Sequence, residues 1–290
     1  MRPIDVVRKL CPRARPSYLA AFENGDALFK QHGITTPLRL AHFLAQAFHE
    51  TGGLTVEWES GNYSAERLLQ IFGVGHHSAK VTANEATQLA HNGPAIFERV
   101  YGLGNPTKAK ELGNTQPGDG FRYRGGGILQ TTGRANYRRM GQKCGVDFEI
   151  HPGLVLSAEH ALKPALAEWS EGHLNDAADR DDIRAITRKI NGGYNGLDDR
   201  QAWFRRIRLL IDKVDLMKAD GLMPQRVDPL KVPASPVQHA TAVTVVAGGA
   251  AVAKQASDNH MNPAGVTAIV VVALGLAVLA WFAVRWIRNK

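Results

Sequence analysis

Thr36-Pro37-Leu38-Arg39-Leu40-Ala41-His42-Phe43-Leu44-Ala45-Gln46-Ala47-Phe48-His49-Glu50-Thr51-Gly52-Gly53 reads from end to end as one helix. Thr36 is a good N-cap, and proline is favoured in the first turn because its missing N–H has no partner there in any case. Leu40, Leu44, Ala47 and Thr51 fall on one face at helical spacing, so this helix is expected to be buried, and the glycine pair stops it. Two further segments have the same design. One is capped by Asp181 or Asp182, carries Ile183, Ile186 and Ile190, and ends on Gly192-Gly193; the other starts at Asp198-Asp199 and runs through Trp203, Phe204, Ile207 and Leu210. Strand signals are weak throughout, which predicts an all-α body. The Gly- and Pro-rich region from Leu103 to Gly127 reads as a long surface loop.

Outward from this body the chain changes character. Pro224, Pro229, Pro233 and Pro236 mark a linker, and after Leu216 no Phe, Tyr or Trp occurs until Trp281. The reading is a catalytic-sized domain over 1–215, a linker over 216–235 and a membrane module over 236–290. No charge falls between Ala264 and Val284, a run of 21 residues flanked by Arg285, Arg288 and Lys290. As a helix it would extend about 31 Å, the thickness of a bilayer's hydrocarbon core. The tryptophans at one end and the basic flank fit a membrane span. A weaker apolar run over about 236–253 reaches the minimum spanning length of roughly 17 residues. If it inserts too, Arg226 and Lys231 lie on the same side as the C-terminus in a helical hairpin; otherwise the tail is a single transmembrane helix. The N-terminus has no apolar stretch of signal-peptide length, so no secretion signal is expected.

The 290 residues carry a net charge of +8. Seven Lys or Arg and three Asp from Leu216 onward contribute +4 of it, so the tail is more basic per residue than the body. Excess positive charge favours polyanionic surroundings without choosing among wall polymers, phospholipid and nucleic acid. Two cysteines, Cys11 and Cys144, are too few for a disulfide framework or a thiolate zinc site. His42 and His49 lie seven apart on the first helix, but no acidic or cysteine ligand has metal-site spacing, so no metal is expected. Gly125-Gly126-Gly127 lacks the Lys-Ser or Lys-Thr of a phosphate loop, so no nucleotide cofactor is implied. Arg134, Arg138 and Arg139 read as a solvated helix face, without the interleaved aromatics of a single-strand nucleic-acid site.

Three carboxylates near the first helix stand out: Glu50, Glu57 and Glu59. Glu50 occupies the last turn, where unpaired carbonyls disfavour a second negative charge, as suits a general acid working near neutrality. A continuous helix would separate Glu50 and Glu59 by about 13 Å in rise, too far for paired action on one bond. The break at Gly52-Gly53 lets the chain turn and bring a second carboxylate across a cleft. Inverting glycosidases hold their carboxyl pair roughly 6.5–9.5 Å apart.

Four blocks in order carry a family resemblance: Phe43 to Gly53; Glu59-Ser60-Gly61-Asn62-Tyr63-Ser64 followed by Leu68 and Phe72; Tyr123 to Tyr137; and Ile190-Asn191-Gly192-Gly193. Together they resemble glycoside hydrolase family 19, the chitinase and phage-endolysin family of lysozyme-like, two-lobed helical fold. The resemblance implies that Glu50 is the general acid and Glu59 the base that activates water, with Thr132 helping to hold that water. By the same resemblance His49, Tyr63, Gln130, Asn136, Tyr137 and Asn191 contact the sugar or position the water, and Arg205 or Arg206 supports the carboxylates. Glu57 is the rival base, lacking the match to the downstream Asn-Tyr-Ser block. The chain departs from the family at Gly126, where arginine is usual, and at Thr131, where leucine is usual. The expected activity is inverting hydrolysis of β-1,4 bonds in peptidoglycan by an enzyme tethered to the bacterial inner membrane. Chitin oligomers are the alternative substrate, and a holin-like membrane-disrupting protein with an idle hydrolase domain is the alternative class. Nucleic acid is not an expected partner.

Overall fold

Side-chain caps at Thr36, Ser64, Thr82, Asn92, Asn105 and Asp182 set where six helices of the body begin. The computed structural model describes residues 1–219, and within them lie α1 (Pro3–Leu10), α2 (Pro16–Glu23), α3 (Asp26–Gln31), α4 (Pro37–Glu50), α5 (Ala65–Phe72), α6 (Ala83–Leu89) and α7 (Gly93–Val100). They are followed by α8 (Pro106–Leu112), α9 (Asp119–Arg122), α10 (Arg134–Cys144), a 3-10 turn at Pro152–Leu156, α11 (Leu162–Glu171), α12 (Leu174–Asp179), α13 (Ile183–Asn191) and α14 (Leu197–Ala219). No strand forms among the described residues, only isolated bridges such as Trp58 with Gly126. The expected mainly helical body is therefore what is found.

α4 occupies the predicted span. The Thr36 side chain accepts from the Arg39 backbone N–H at 3.2 Å, and Leu40, Leu44, Ala47 and Thr51 are all buried. Asp182 proves to be the cap of α13, accepting from the Ala185 N–H at 2.9 Å. Both helices flanking α4 can be registered against it. Asp181 meets His42 at 2.8 Å and Thr187 meets Gln46 at 3.5 Å, so α13 runs parallel to α4. Arg200 meets Glu50, Trp203 packs edge-on to Phe48 and Phe204 stacks on His42, so α14 runs antiparallel to it.

Three apolar clusters form. The largest gathers α1, α2, α4 and α11 to α14 around Phe43, Phe48 and Trp169. A second joins α5, α6 and α7 through Leu68, Phe72 and Phe97, and a third holds Tyr123, Tyr137, Met140 and Phe148.

Three expectations need correction. The segment Leu103–Gly127 is not a continuous loop but contains α8 and α9. Its Pro and Gly residues are helix punctuation: Asn105 caps α8, Pro106 opens it and Gly113 closes it in the left-handed region. Asp119 of α9 is buried against Arg134. The last helix also continues to Ala219, past the boundary expected at 215, since no Pro or Gly interrupts the sequence before Gly221. Arg134, Arg138 and Arg139 are not a free solvated face: each pairs with Asp119, Glu149 or Glu171. Cys11 and Cys144 are unpaired thiols. Among the described residues no helix is long and apolar enough to cross a membrane. The two apolar runs, over 236–253 and 264–284, and most of the linker lie outside the described residues.

Candidate active site

The turn after α4 is what separates the carboxylates from a common helix. Gly52, Gly53 and Leu54 have φ of 56°, 73° and 62°, three consecutive residues in the left-handed region. Glycine occupies the first two because only it adopts this conformation freely. The chain then reverses and pairs with the glycine loop: Glu59 N–H donates to the Gly125 carbonyl at 2.7 Å, and Gly127 N–H to the Glu57 carbonyl at 3.0 Å. A cleft of about 580 Å³ opens there, lined by Glu57, Trp58, Glu59, Asn62, Phe121 and Arg124 among others.

Glu59 is enclosed. Burial raises its carboxyl above the ordinary carboxylate value, opposed by the Tyr101 hydroxyl donating at 3.0 Å, the Gly125 backbone, the Arg124 guanidinium and the Tyr63 hydroxyl. The same burial, with Glu59 facing it, pushes the Tyr63 phenol up to about 12. A side chain on Gly125 would meet Gln130 Oε1 at 2.9 Å, Thr132 Oγ1 at 3.2 Å and Glu59 Oε2 at 3.3 Å. Three polar groups thus converge on the space left by one missing Cβ. Gln130 is itself held in the left-handed region at φ 54° and donates to the Gly127 carbonyl at 2.8 Å; Thr132 donates to the Gln130 carbonyl at 2.9 Å. Glu57 accepts from Ser17 at 2.9 Å, on the same cleft.

Glu50 is joined to Arg200, and here the expectation of Arg205 or Arg206 gives way. The Arg200 guanidinium, 1% exposed, donates to Glu50 and, at 2.5 Å, to Gln46 Oε1. Its Nε is buried without a partner. Arg206 instead lies over the Trp203 ring at 4.4 Å, and Arg205 is exposed. A buried cation thus faces the negative pole at the end of α4, beside Glu50. Arg200 did leave one signal in the sequence, since a cation in the first turn of α14 sits where the helix dipole disfavours it.

Other expected residues divide. Tyr63 stands beside Glu59. Asn191 is exposed at the end of α13, one turn beyond Thr187. His49 pairs with Asp199 at 2.6 Å and abuts Gly196, which anchors the loop before α14 to the end of α4. Asn136 is engaged at both ends, donating to the Thr132 carbonyl at 3.1 Å and accepting from Arg139 at 3.0 Å. Tyr137, expected to contact the sugar, is fully buried and donates to the Arg124 carbonyl at 3.1 Å, so it supports the loop from behind. The phase of α10 turns it into the third apolar cluster.

The departure at Gly126 has a steric reason. A Cβ there would meet the Trp58 ring at 2.5 Å and the Tyr137 hydroxyl at 2.8 Å. Arg124, two residues earlier, instead supplies the cation, stacked at 4.4 Å on Trp58 and 4.0 Å on Phe121. Thr131, the other departure, is buried and bridges to Gly126 through paired backbone hydrogen bonds at 2.9 and 3.1 Å.

One further carboxyl escaped the sequence reading. Burial in α11 pushes Glu168 up to about 7, Arg139 opposing the rise and Glu50 and Glu171 adding to it. No group of metal ligands occurs among the described residues.

No family model matches the chain. A glycosyl hydrolase family 19 domain-containing protein of Haemophilus influenzae (strain ATCC 51907 / DSM 11121 / KW20 / Rd) is 31% identical over 184 residues, covering 63% of this chain and 84% of that protein. Among solved structures, chitinase C from Streptomyces griseus HUT6037 is similar at 18% identity and a TM-score of 0.48, covering 73% of this chain and 77% of that one. A bacterial family 19 chitinase is similar at 18% identity and a TM-score of 0.47, covering 71% and 92%. On the Haemophilus relative, the chain belongs to glycoside hydrolase family 19 and is a glycoside hydrolase.

Proposed function

We propose that this glycoside hydrolase cleaves β-1,4 bonds of peptidoglycan by inversion, with Glu50 as general acid, Glu59 as base and Thr132 holding the attacking water. The observation that carries the reading is the convergence of Glu59, Thr132 and Gln130 on one small space beside Gly125. A water bridging these oxygens from the cleft side has a carboxylate to take its proton and two further polar groups to fix its orientation. A base enclosed as Glu59 is becomes a better proton acceptor for as long as it stays ionised. Tyr63 and Asn191 border the sugar, and His49 and Asn136 act by positioning the segments around it. The short Glu50–Glu59 spacing and the cysteine-poor body favour peptidoglycan over chitin. The uncharged run over 264–284 favours tethering to the bacterial inner membrane, with the wall as target.

A second reading reverses the carboxylates. Glu50 is ion-paired with the buried Arg200, while burial of Glu59 favours a proton there. Substrates with an activated aryl leaving group separate the two, because they need no general acid. Under the first reading Glu50→Gln abolishes hydrolysis of purified peptidoglycan but retains cleavage of an aryl chitooligosaccharide, and Glu59→Gln loses both. The opposite pattern selects the reversed roles, and full activity of Glu50→Gln on peptidoglycan sinks both readings. Mass spectrometry of the released reducing ends reports substrate and bond together.

A further inference from the structure

α13 carries Arg184 and Arg188 on the same face as Asn191, because residues at i, i+4 and i+7 share one side of a helix. Together with Lys189, Tyr194, Asp182 and Ala185, these arginines line a cleft of about 540 Å³. Arg184, Arg188 and Lys189 are exposed, and none has an ion-pair partner among the described residues. This contrasts with Arg134, Arg138 and Arg139 of α10, all of which are paired. The one carboxylate in the cleft, Asp182, is engaged in capping the helix. Arg184 is braced over the Tyr194 ring at 4.6 Å, and Tyr194 follows Asn191 by three residues, on the loop that leads to Arg200. Along the helix axis Arg188 and Arg184 lie about 4.5 and 10.5 Å back from Asn191, the residue expected to border the sugar.

We propose that this face of α13 is a subsite for the carboxylates of the peptide stems borne by a peptidoglycan strand lying in the cleft. The inference rests on the peptidoglycan reading and deepens it: chitin has no such carboxylates, so the face would separate the two polymers. Arg184, with its planar fork held against Tyr194, can take a carboxylate through two hydrogen bonds, while Arg188 and Lys189 add charge to either side.

The test is the triple substitution Arg184→Gln, Arg188→Gln and Lys189→Gln in the full chain, with thermal unfolding checked first. Hydrolysis is measured on intact peptidoglycan and on the same polymer with its stem carboxylates capped as neutral amides. The expected result is about a tenfold loss of kcat/KM on the intact polymer, mostly in KM and shrinking as salt is raised, with the capped polymer cleaved as by the wild type. Equal loss on both substrates, or no loss on either, overturns the proposal. Loss of co-sedimentation with anionic phospholipid vesicles at unchanged hydrolysis would assign the face to a bilayer and overturn it as well. A wild-type chain that cleaves chitin oligomers but not intact peptidoglycan fails the underlying reading instead, which is a distinguishable outcome.

Discussion

Replacing Glu168 by glutamine should make the protein more stable, and by an amount that depends on pH. Burial raises this carboxyl from 4.5 to about 7, with Glu50 and Glu171 adding to the effect. In the folded chain it therefore holds its proton over a range in which the unfolded chain has released it. A group of this kind costs nothing below its unfolded value and becomes progressively destabilising as pH rises towards its folded value. At 1.36 kcal/mol per pH unit the full cost is about 3 kcal/mol, and partial contact with water brings the expectation to about 2–3 kcal/mol. Glutamine keeps the shape and the neutrality of the protonated acid, so it removes the cost. Urea unfolding of both proteins between about pH 4 and pH 8 measures it. The two curves should coincide at the acid end, part through pH 5–7 and run parallel above. The difference is the informative quantity, because His32, His42 and His77 are held below their ordinary value by burial and make stability rise with pH in part of the same window. A gap that stays constant with pH would refute the reasoning.

Arg200→Met should cost about 3–5 kcal/mol in chemical unfolding, because it leaves Glu50 without its buried partner; a loss under 1 kcal/mol would mean that the pair is not buried in solution. Gly126→Ala must move the Trp58 ring or the Tyr137 hydroxyl and should destabilise by about 1–3 kcal/mol, with activity falling alongside; unchanged stability would contradict the close approach. Tyr101→Phe removes a donor that holds Glu59 down, so its carboxyl should rise further. If Glu59 is the base, the acidic limb of the kcat/KM profile moves to higher pH; movement of the alkaline limb alone would favour the reversed roles.

Local grammar predicted the helices well where one residue type has one job. Thr36-Pro37, Asp182 and the glycine pairs mark helix ends by hydrogen-bonding capacity and backbone freedom, which neighbours in sequence settle among themselves. The same grammar misled between Leu103 and Gly127, where Asn105, Pro106 and Gly113 punctuate a helix and no apolar periodicity announces one. Of the candidate site residues singled out from their blocks, Glu59, Gln130 and Thr132 lie together around Gly125. Arg200, Tyr101 and Glu168 were not singled out, since each matters through a partner at least 42 residues away.

The amino-acid sequence alone thus determined a helical body, the break after Glu50 and the two carboxylates on either side of it. These follow from backbone preferences and spacing, which act over a few residues. Only the tertiary structure decided that Arg200 rather than Arg205 or Arg206 faces Glu50, that Tyr137 lies behind the cleft, and that Glu59, Thr132 and Gln130 close on one point. Those outcomes depend on which helix faces pack together and how completely water is excluded. Burial is a property of the assembled fold, and it is burial that gives Glu59 and Glu168 their altered chemistry.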